Sequence, residues 1–334
     1  MAQSPAERLA DLTLGHVLVT AIALGHRTGL LQALPGSEAE IAGRAGAAPR
    51  YVREWLGCLV AGGIVTHAAG HYAFADGYAP LLTGASPANV APTAEMLTRL
   101  TAMAPEVAAR FADGAGIPPR VYAARAGETL GEPRRHLYDA VFVSGFLAPV
   151  PGLLARLRAG ARVLDVGCGT GQTTRLVAQE FGSSQVTGID VVPEAIALAA
   201  AGAPLPNLTY EVGDAVALSG EYDVVLAVDV VHDLPRPVEA LAAVRRVLVR
   251  GGVLVMVDAG FPGDLDALAG DPVAAAAYGV SLLHCLPISL DGRGAGLGAM
   301  WGRERAVATL REAGFAQVDV LPAPRPQNAV YVAS

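Results

Sequence analysis

The second half of the chain alternates between short, continuous apolar runs and longer segments with helical periodicity. Such runs are typical of strands buried on both faces of a parallel sheet, and helices between them make the crossover connections. We therefore predict an α/β domain with about seven strands. The predicted strands are residues 163–166, 185–190, 208–212, 222–229, 253–258, 316–321 and 329–333. The predicted helices between them include residues 172–181, 237–249 (stopped by Gly251-Gly252) and 303–313.

Residues 6–33 are apolar on too many sides for a helix that buries a single stripe. A helix of this kind needs a partner around most of its circumference. The partner can be a second copy of the chain or other elements of the same chain, and the pattern leaves both open. The apolar positions are Leu9, Leu12, Leu14, Val17, Val19, Ile22 and Leu24.

Residues 37–74 carry the signals of two short helices followed by a hairpin. Ser37 and Glu40 form a capping box at the start of the first helix. Pro49 occupies the first turn of the second helix, and Gly62 follows its end. Two helices with a two-stranded wing predict a winged helix. The predicted elements are helices 38–44 and 49–61 and strands 64–67 and 71–74.

A winged helix can read DNA, or it can serve packing and dimerisation. A DNA reader normally presents a basic face. Residues 37–82 contain three arginines and no lysine against four acids, so we favour packing or dimerisation. The alternative is DNA binding by the helix that carries Arg50, Arg53 and Trp55.

The segment that follows the wing is predicted to be mostly helical. It combines a helix over residues 92–113, a loop over residues 114–119 and further helical segments as far as Phe146. A helical insert at this position is typical of a cover over a substrate cleft. We therefore predict three parts: N-terminal helices and winged helix (1–85), helical linker and substrate cover (86–150), and the α/β domain (151–334).

The candidate chemistry of the α/β domain is concentrated where the predicted strands end. Residues 163–171 read Val-Leu-Asp-Val-Gly-Cys-Gly-Thr-Gly, an apolar strand that turns sharply into a helix. The glycines let the turn bend tightly and let backbone N–H groups approach a ligand, and the helix N-terminus points at the same place. Of the next two predicted strands, the first ends at Asp190 and the second leads to Asp214. These carboxylates could accept hydrogen bonds from a ribose diol and from an adenine amino group.

Residues 163–215 resemble the cofactor-binding half of class I S-adenosylmethionine-dependent methyltransferases. The D-x-G-x-G-x-G turn, Asp190 and Asp214 occur in the order of that family's motifs. The resemblance implies S-adenosylmethionine (SAM) as the cofactor, a Rossmann-like fold of seven strands, and an antiparallel last strand. It also implies that the turn surrounds the methionine part, Asp190 the ribose and Asp214 the adenine. The candidate cofactor-binding residues are Asp165, Gly167, Cys168, Gly169, Gly171, Asp190, Asp214, Ala215 and Asp229.

The N-terminal part resembles one bacterial subgroup of small-molecule methyltransferases that carry a winged helix. The resemblance lies in residues 25–34 and in residues 50–56. It implies that the winged helix serves packing or dimerisation. Of these two, we expect dimerisation, and therefore a homodimer.

His232 follows the fourth predicted strand, at the edge where ligands of open α/β sheets bind. Histidine is suited to proton removal near neutral pH, so we predict His232 as a general base. Asp233 could orient this imidazole or cap the next helix. A second histidine, His284, lies in an apolar segment after the fifth strand, and two imidazoles with a carboxylate could instead hold iron or zinc. This pair resembles metal-dependent C-methyltransferases of 2-oxo acids, which implies a metal-stabilised enolate as the attacking group.

The net charge, the cysteines and the apolar stretches limit the partners and the cellular location that fit this chain. The formal net charge of −7 argues against a nucleic-acid partner. The three cysteines, Cys58, Cys168 and Cys285, share no C-x-x-C spacing, which fits a reducing cytoplasm. The apolar stretch 17–34 is interrupted by charged and polar residues, so no membrane span is expected.

Together these features predict a cytoplasmic, homodimeric methyltransferase that acts on a small molecule of specialised metabolism. Two alternatives use the same fold. One is an enzyme that keeps the cofactor fold for a pericyclic rearrangement or cyclisation. The other is a transcriptional regulator that senses SAM, which the acidic balance of the winged helix disfavours.

Overall fold

A computed structural model describes residues 3–126 and 132–334, except for the side chains of residues 123–126 and 132–134. The chain divides into two compact units, residues 1–102 with 132–136, and residues 103–131 with 137–334. The segment predicted as a cover, residues 86–150, is therefore shared between the units. Its residues 127–131 lie outside the described residues.

The first unit is helical with a small antiparallel sheet in the order β1-β3-β2. This arrangement confirms the predicted winged helix, to which the structure adds one strand too short to leave a sequence pattern. Its strands are β1 (Gly36–Ser37), β2 (Val65–Ala68) and β3 (His71–Phe74). Its helices are α1 (Pro5–Arg27), α2 (Leu30–Ala33), α3 (Glu38–Ala45), α4 (Pro49–Ala61), α5 (Ala79–Leu82) and α6 (Ala91–Thr101).

Local sequence sets the ends of the winged-helix elements. At the start of α3, the Ser37 hydroxyl accepts from the Glu40 amide at 3.4 Å, and the Glu40 carboxylate accepts from the Ser37 amide at 2.7 Å. Pro49 lies in the first turn of α4, where its missing N–H is not needed, and Gly62 caps the helix end. The predicted capping box and helix bounds are thus confirmed.

Helix α4 is fixed to α1 by one buried tryptophan. The Trp55 indole N–H donates to the Ala21 carbonyl at 2.8 Å. Its ring also lies against Gly25, where a Cβ atom would come within 2.6 Å of the ring. Because only 7% of Trp55 is exposed, this residue belongs to the core of the unit and is not presented for DNA contact.

Helix α1 leaves much of its apolar surface uncovered within the chain. Gly29, with a φ of +74°, separates it from α2, so the predicted segment 6–33 forms two helices. The exposed apolar side chains are Leu9 (65%), Leu12 (53%), Leu14 (64%), Val17 (56%) and Leu24 (52%).

Two segments of the described chain meet the length and hydropathy criteria for a membrane span. They are Pro5–Arg27, in which the 18-residue window that meets the criteria is 17% buried, and the 18 residues Pro272–Ser289, which are 39% buried. Core helices and leader segments meet the same criteria, so this is weak evidence for a membrane location.

The second unit is a sheet with helices on both faces. Its strands are β4 (Arg162–Val166), β5 (Gln185–Asp190), β6 (Leu208–Val212), β7 (Tyr222–Val228), β8 (Leu248–Ala259), β9 (Val318–Pro322) and β10 (Asn328–Ala333). Its helices are α7 (Ala104–Asp113), α8 (Pro119–Ala126), α9 (Glu132–Val141, begun in the first unit), α10 (Leu153–Ala159), α11 (Gln172–Glu180), α12 (Pro193–Ala200), α13 (Pro237–Val247), α14 (Pro272–Val280), α15 (Leu286–Ser289) and α16 (Arg303–Glu312). Phe142–Leu147 and Ser281–Cys285 are π-helical, and Val231–Asp233, Asp266–Leu268 and Asp291–Arg293 are 3₁₀ turns.

The seven strands lie in the order β6-β5-β4-β7-β8-β10-β9. Strands β4 to β8 are parallel, and β10 runs antiparallel between β8 and β9. Central strands are buried on both faces, as their continuous apolar runs predicted; Val224, Val225, Leu254 and Val255 are fully buried. The predicted α/β class, seven strands and antiparallel last strand are confirmed.

Two predicted boundaries are wrong. The helix predicted over residues 92–113 is two helices, α6 and α7, because Pro105 lacks an N–H and crowds the carbonyl one turn earlier. The helix predicted to end at residue 249 ends at Val247, and β8 begins at once. Gly251 and Gly252 lie inside β8, where the pairing with β7 is irregular and Gly251 adopts a φ of +75°. The hydrogen-bonded pairing of β8 with β7 therefore outweighs the tendency of these two glycines to end a helix.

The contact between Trp55 and Gly25 gives a stability prediction. Gly25→Ala is expected to lower the free energy of unfolding by about 1–3 kcal/mol, because its Cβ would overpack the ring. Gly15→Ala is the matched control in the same helix, since its Cβ would meet nothing within 4 Å. The control should gain roughly 0.5–1 kcal/mol from helix propensity. Urea unfolding of wild type and both variants measures these free energies. Equal changes in the two variants would contradict the packing of Trp55 against Gly25.

Candidate functional site

A glycine-rich turn connects β4 to α11. Gly167, Gly169 and Gly171 all have positive φ, at 67°, 54° and 78°. A Cβ at Gly167 would collide with Val230, and one at Gly171 would collide with the Tyr210 ring. At Gly169, by contrast, a Cβ would meet nothing within 4 Å. The backbone of the turn is therefore packed on two sides and open at Gly169, which permits close approach of a ligand.

Asp165 lies behind this turn and is 1% exposed. Its Oδ2 accepts from the hydroxyls of Thr173 at 3.0 Å and Thr174 at 2.6 Å, which ties β4 to the first turn of α11. Burial raises the pKa of this carboxyl to about 6, against the lowering effect of the two hydroxyls. Its Oδ1 is buried without a hydrogen-bond partner among the described residues. Its predicted place beside the methionine part stays a prediction.

Asp190 ends β5 and reaches the same turn. Its Oδ2 accepts from the Gly169 amide at 2.9 Å, and its Oδ1 accepts from the Val192 amide at 2.9 Å. Burial raises the pKa of this carboxyl. The side chain of the following residue, Val191, is 58% exposed. The predicted ribose-binding carboxylate thus directly contacts the predicted turn.

Asp214 follows β6, next to the end of β5. The Gly213 amide donates to the Asp190 carbonyl at 3.0 Å, which joins the two strand ends. The Asp214 side chain is about half exposed and lies 3.4 Å from the Arg236 guanidinium. Ala215 is buried. The structure therefore brings the predicted adenine-binding pair to the same edge of the sheet as Asp190.

Asp229 follows β7 in an unusual conformation. Its φ of +51° is in the left-handed region, which is uncommon for residues other than glycine and concentrates at functional sites. Its carboxylate accepts from the Tyr138 hydroxyl at 2.5 Å and from the Asn328 side-chain amide at 3.0 Å. These contacts hold the carboxylate at the end of the central strands.

His232 lies in the 3₁₀ turn after β7 and is 4% exposed. Its Nδ1 is 2.9 Å from Asp258 Oδ1, and its Nε2 is 3.4 Å from Asp233 Oδ1. Burial lowers the pKa of the imidazole, but the carboxylates of Asp258 and Asp233 outweigh it, so the pKa lies well above its usual value. The ring is oriented by Asp258, a residue that sequence reasoning left without a role.

Asp258 is fully buried near the end of β8. Besides facing His232, its Oδ1 accepts from the Trp301 indole at 2.8 Å and from the Ala259 amide at 2.7 Å. Asp258 could have been found from the sequence, because it is a strand-ending carboxylate like Asp190. Trp301 could not, since it comes from a loop 43 residues further along the chain.

The second predicted histidine, His284, lies beside Cys285. His284 is buried, with its ring edge-on to Tyr122 at a centroid distance of 4.8 Å and its Nδ1 3.7 Å from the Cys285 thiol. One ligand atom each from His232, Asp233 and Cys285 lie within 4.8 Å of one another. Among the described residues, Cys285 therefore belongs to this potential metal-binding group, whereas the predicted partner was His284.

Comparisons with known proteins agree with this arrangement. A family model described as a methyltransferase domain matches residues 164–256, and a model described as an Rv2258c-like winged HTH domain matches residues 16–84. Trans-aconitate 2-methyltransferase of Deinococcus radiodurans is 41% identical over 112 residues, 33% of this chain and 43% of that enzyme. The chain thus spans less than half the length of the curated relatives it matches first.

Solved structures are similar over the whole chain. Human N-acetylserotonin methyltransferase in complex with SAM aligns with a TM-score of 0.72 at 15% identity, covering 99% of this chain and 98% of that one. CalO1, a methyltransferase in calicheamicin biosynthesis, bound to SAH, aligns with a TM-score of 0.65 at 20% identity, covering 99% of each chain. At these identities the likeness establishes the fold.

The raised pKa of Asp165 predicts a pH-dependent stability. The folded-state pKa of about 6 exceeds the ordinary value of 3.8, so the folded chain holds this proton more tightly than the unfolded chain does. The resulting stabilisation is complete below the ordinary value and is lost as the pH rises through about 6. The free energy of unfolding of wild type, relative to Asp165→Asn, should fall by up to about 3 kcal/mol from pH ~4 to ~7.

Urea unfolding across this pH range measures that difference. Asp319→Asn, at an exposed position, is the control for a change of one surface charge. A difference between wild type and Asp165→Asn that stays constant with pH would show that Asp165 is not the buried acid described above.

Proposed function

We propose, from the chain's place among class I SAM-dependent methyltransferases with an N-terminal winged helix, that it transfers the methyl group of SAM to a small molecule. The observation that carries the proposal is the hydrogen bond from the Gly169 amide to the Asp190 carboxylate. This hydrogen bond connects the glycine-rich turn after β4 with the carboxylate that ends β5, so the two belong to one site. The exposed face of that site at Gly169 has room for a ligand.

The residues of the turn fit the proposed cofactor. The buried Oδ1 of Asp165 has no hydrogen-bond partner in the part of the chain that the structure describes, and it is available as an acceptor behind the turn. Asp190 would accept from the ribose hydroxyls, and Asp214 with Ala215 would face the adenine. The carboxylates of Asp165, Asp190 and Asp229 give the site a negative potential suited to a cationic cofactor. When bound, SAM supplies an electrophilic methyl group.

We assign His232 as the general base that removes the acceptor's proton. The Asp258 carboxylate holds Nδ1 as a hydrogen-bond donor, so Nε2 is the atom that takes the acceptor's proton. Because the carboxylates of Asp258 and Asp233 raise the pKa of this imidazole, the neutral ring that acts as the base forms at a higher pH than for an ordinary histidine. The same carboxylate stabilises the imidazolium ion that forms. Asp258 is a positioning residue in this scheme, because it acts through the imidazole. Trp301 and the Ala259 amide keep its Oδ1 in place.

Specialised metabolism is the setting we propose for the acceptor. Support comes from structural similarity to CalO1, a methyltransferase in calicheamicin biosynthesis, and from a sequence relative named for a small acid, trans-aconitate. Methylation of oxygen, nitrogen or carbon is compatible with a single base at the end of β7. We further propose a cytoplasmic location, supported by three cysteines that form no disulfide among the described residues.

A homodimer formed through α1 is the second part of the proposal. The exposed side chains of Leu9, Leu12, Leu14 and Val17 form an apolar surface on the helix. Exposed apolar patches of this kind mark interaction surfaces in most folded proteins. A second copy of the same helix would provide a matching apolar partner, because a twofold interface is self-complementary.

The catalytic proposal is tested by separating cofactor affinity from turnover. Formation of SAH and of a methylated product is measured with a panel of phenols, amines and 2-oxo acids. His232→Ala should lower kcat about 100-fold or more, since general-base removal has effects of this size. Asp258→Asn should lower kcat by roughly tenfold or more at unchanged KM for SAM, because both the orientation of the base and the stabilisation of its imidazolium ion are lost.

Calorimetry of SAH binding provides the complementary readout. Asp190→Ala should weaken affinity roughly tenfold or more, whereas His232→Ala should leave it nearly unchanged. Asp264→Ala, at an exposed loop position, is the control for loss of a carboxylate. Tight binding of SAM without SAH formation for any acceptor would instead favour the non-methylating enzyme considered above.

The dimer is tested by placing a charge on the apolar surface of α1. Leu14→Glu should convert the protein to a monomer in sedimentation equilibrium, because a buried unpaired carboxylate is costly at an interface. Phe111→Glu adds the same charge at a 74% exposed apolar position on α7 and should leave the association unchanged. A wild-type monomer at micromolar concentration would contradict the proposal.

A further inference from the structure

Three side chains of different chemistry meet beside the proposed base. A ring nitrogen of His232, a carboxylate oxygen of Asp233 and the thiol of Cys285 lie within 4.8 Å of one another. Imidazole, carboxylate and thiolate are the ligand types that zinc prefers in proteins. The cysteine distinguishes this group from an ordinary acid–base pair, because a thiolate adds much to the affinity for a soft dication.

The imidazole of His232 is already arranged as a metal ligand would be. Its Nδ1 faces the fully buried carboxylate of Asp258 at 2.9 Å. Metal-binding histidines nearly always place their second ring nitrogen against a carboxylate or carbonyl in this way, which fixes the tautomer and directs the other nitrogen to the metal. The free Nε2 points toward Asp233, 3.4 Å from its Oδ1.

Asp233 supplies an acceptor that the described protein groups leave unsatisfied. Its Oδ1 is buried and has no hydrogen-bond partner among the described residues. A buried acceptor without a partner costs roughly 1–3 kcal/mol. A cation between this oxygen and His232 Nε2 would remove that cost, and their separation is already close to the spacing of about 3.3–3.5 Å between ligand atoms of tetrahedral zinc.

Cys285 is brought to the group by an irregular stretch of helix. It ends the π-helical turn Ser281–Cys285 and is 4% exposed. Such turns are rare and recur at functional sites. The group's largest separation, up to 4.8 Å, would have to shorten by about 1 Å for all three atoms to bind one ion. Rotation of the Cys285 and Asp233 side chains can supply a change of this size.

We propose that His232, Asp233 and Cys285 form a binding site for a zinc-like dication, with Cys285 as the third ligand, and that the bound cation inhibits methyl transfer. The inhibition rests on the proposed function, since it follows from His232 acting as the base. A cation on Nε2 occupies the lone pair that would take the acceptor's proton. Proton removal and cation binding therefore exclude each other, which makes the group a regulatory site within the active centre.

Binding is tested with cobalt(II), which reports thiolate coordination by its absorption. Protein without a histidine tag is stripped with a chelator and titrated with Co²⁺ alone. Wild type should show a thiolate-to-cobalt charge-transfer band at one equivalent, and Zn²⁺ should displace it. Cys285→Ser should abolish the band and weaken Zn²⁺ affinity at least tenfold. Cys58→Ser, at a cysteine in α4, should keep the band.

The outcomes separate the metal site from the enzyme activity. No band in wild type, or a band that survives in a folded Cys285→Ser variant, overturns the site. His284→Gln should keep the band, and its loss there would assign the site to His284.

With the site confirmed, Zn²⁺ should suppress SAH formation in wild type. Turnover that is unchanged or raised by Zn²⁺ overturns the inhibition, whereas a metal-free enzyme without turnover refutes the proposed function and leaves the cobalt result standing.

Discussion

Parallel strands place their carboxyl ends at one edge of a sheet, and this chain puts an aspartate at or shortly after that end in all five of them. A buried carboxylate must find donors, and each of these finds them on a different element. Asp165 takes threonine hydroxyls of α11, Asp190 takes the Gly169 amide, and Asp258 takes the imidazole of His232. The need to satisfy these acids therefore assembles the turn, the strand ends and the candidate base at a single edge.

The same need explains why the proposed base and the proposed cation site share atoms. Asp258 fixes the imidazole from one side, and Asp233 faces it from the other with an oxygen that no described protein group satisfies. A proton or a metal ion on Nε2 would each neutralise this cluster of negative charge. Which of them occupies the site depends on the thiol of Cys285, because it is the ligand that discriminates between the two.

The two wrong boundaries have different causes, a non-local contact in one case and an overlooked local signal in the other. Gly251-Gly252 predicts the end of a helix, but pairing with β7 draws both glycines into β8. Pro105 should have divided the helix predicted over residues 92–113, since proline inside a helix removes a hydrogen bond. The capping box at Ser37 and the proline at residue 49 predicted their helices correctly, because those signals act within a single turn.

The amino-acid sequence alone determined the winged helix, the seven-stranded α/β domain and the glycine turn, because these follow from local periodicity, caps and turn chemistry. It also placed Asp190 and His232 at strand ends, since a residue that follows a parallel strand must lie at that edge. Only the tertiary structure decided which groups meet there. Asp258 is 26 residues from His232, and the cysteine beside them comes from a π-helical turn that periodicity does not predict. Contacts between distant segments depend on packing, which leaves no local pattern in the chain.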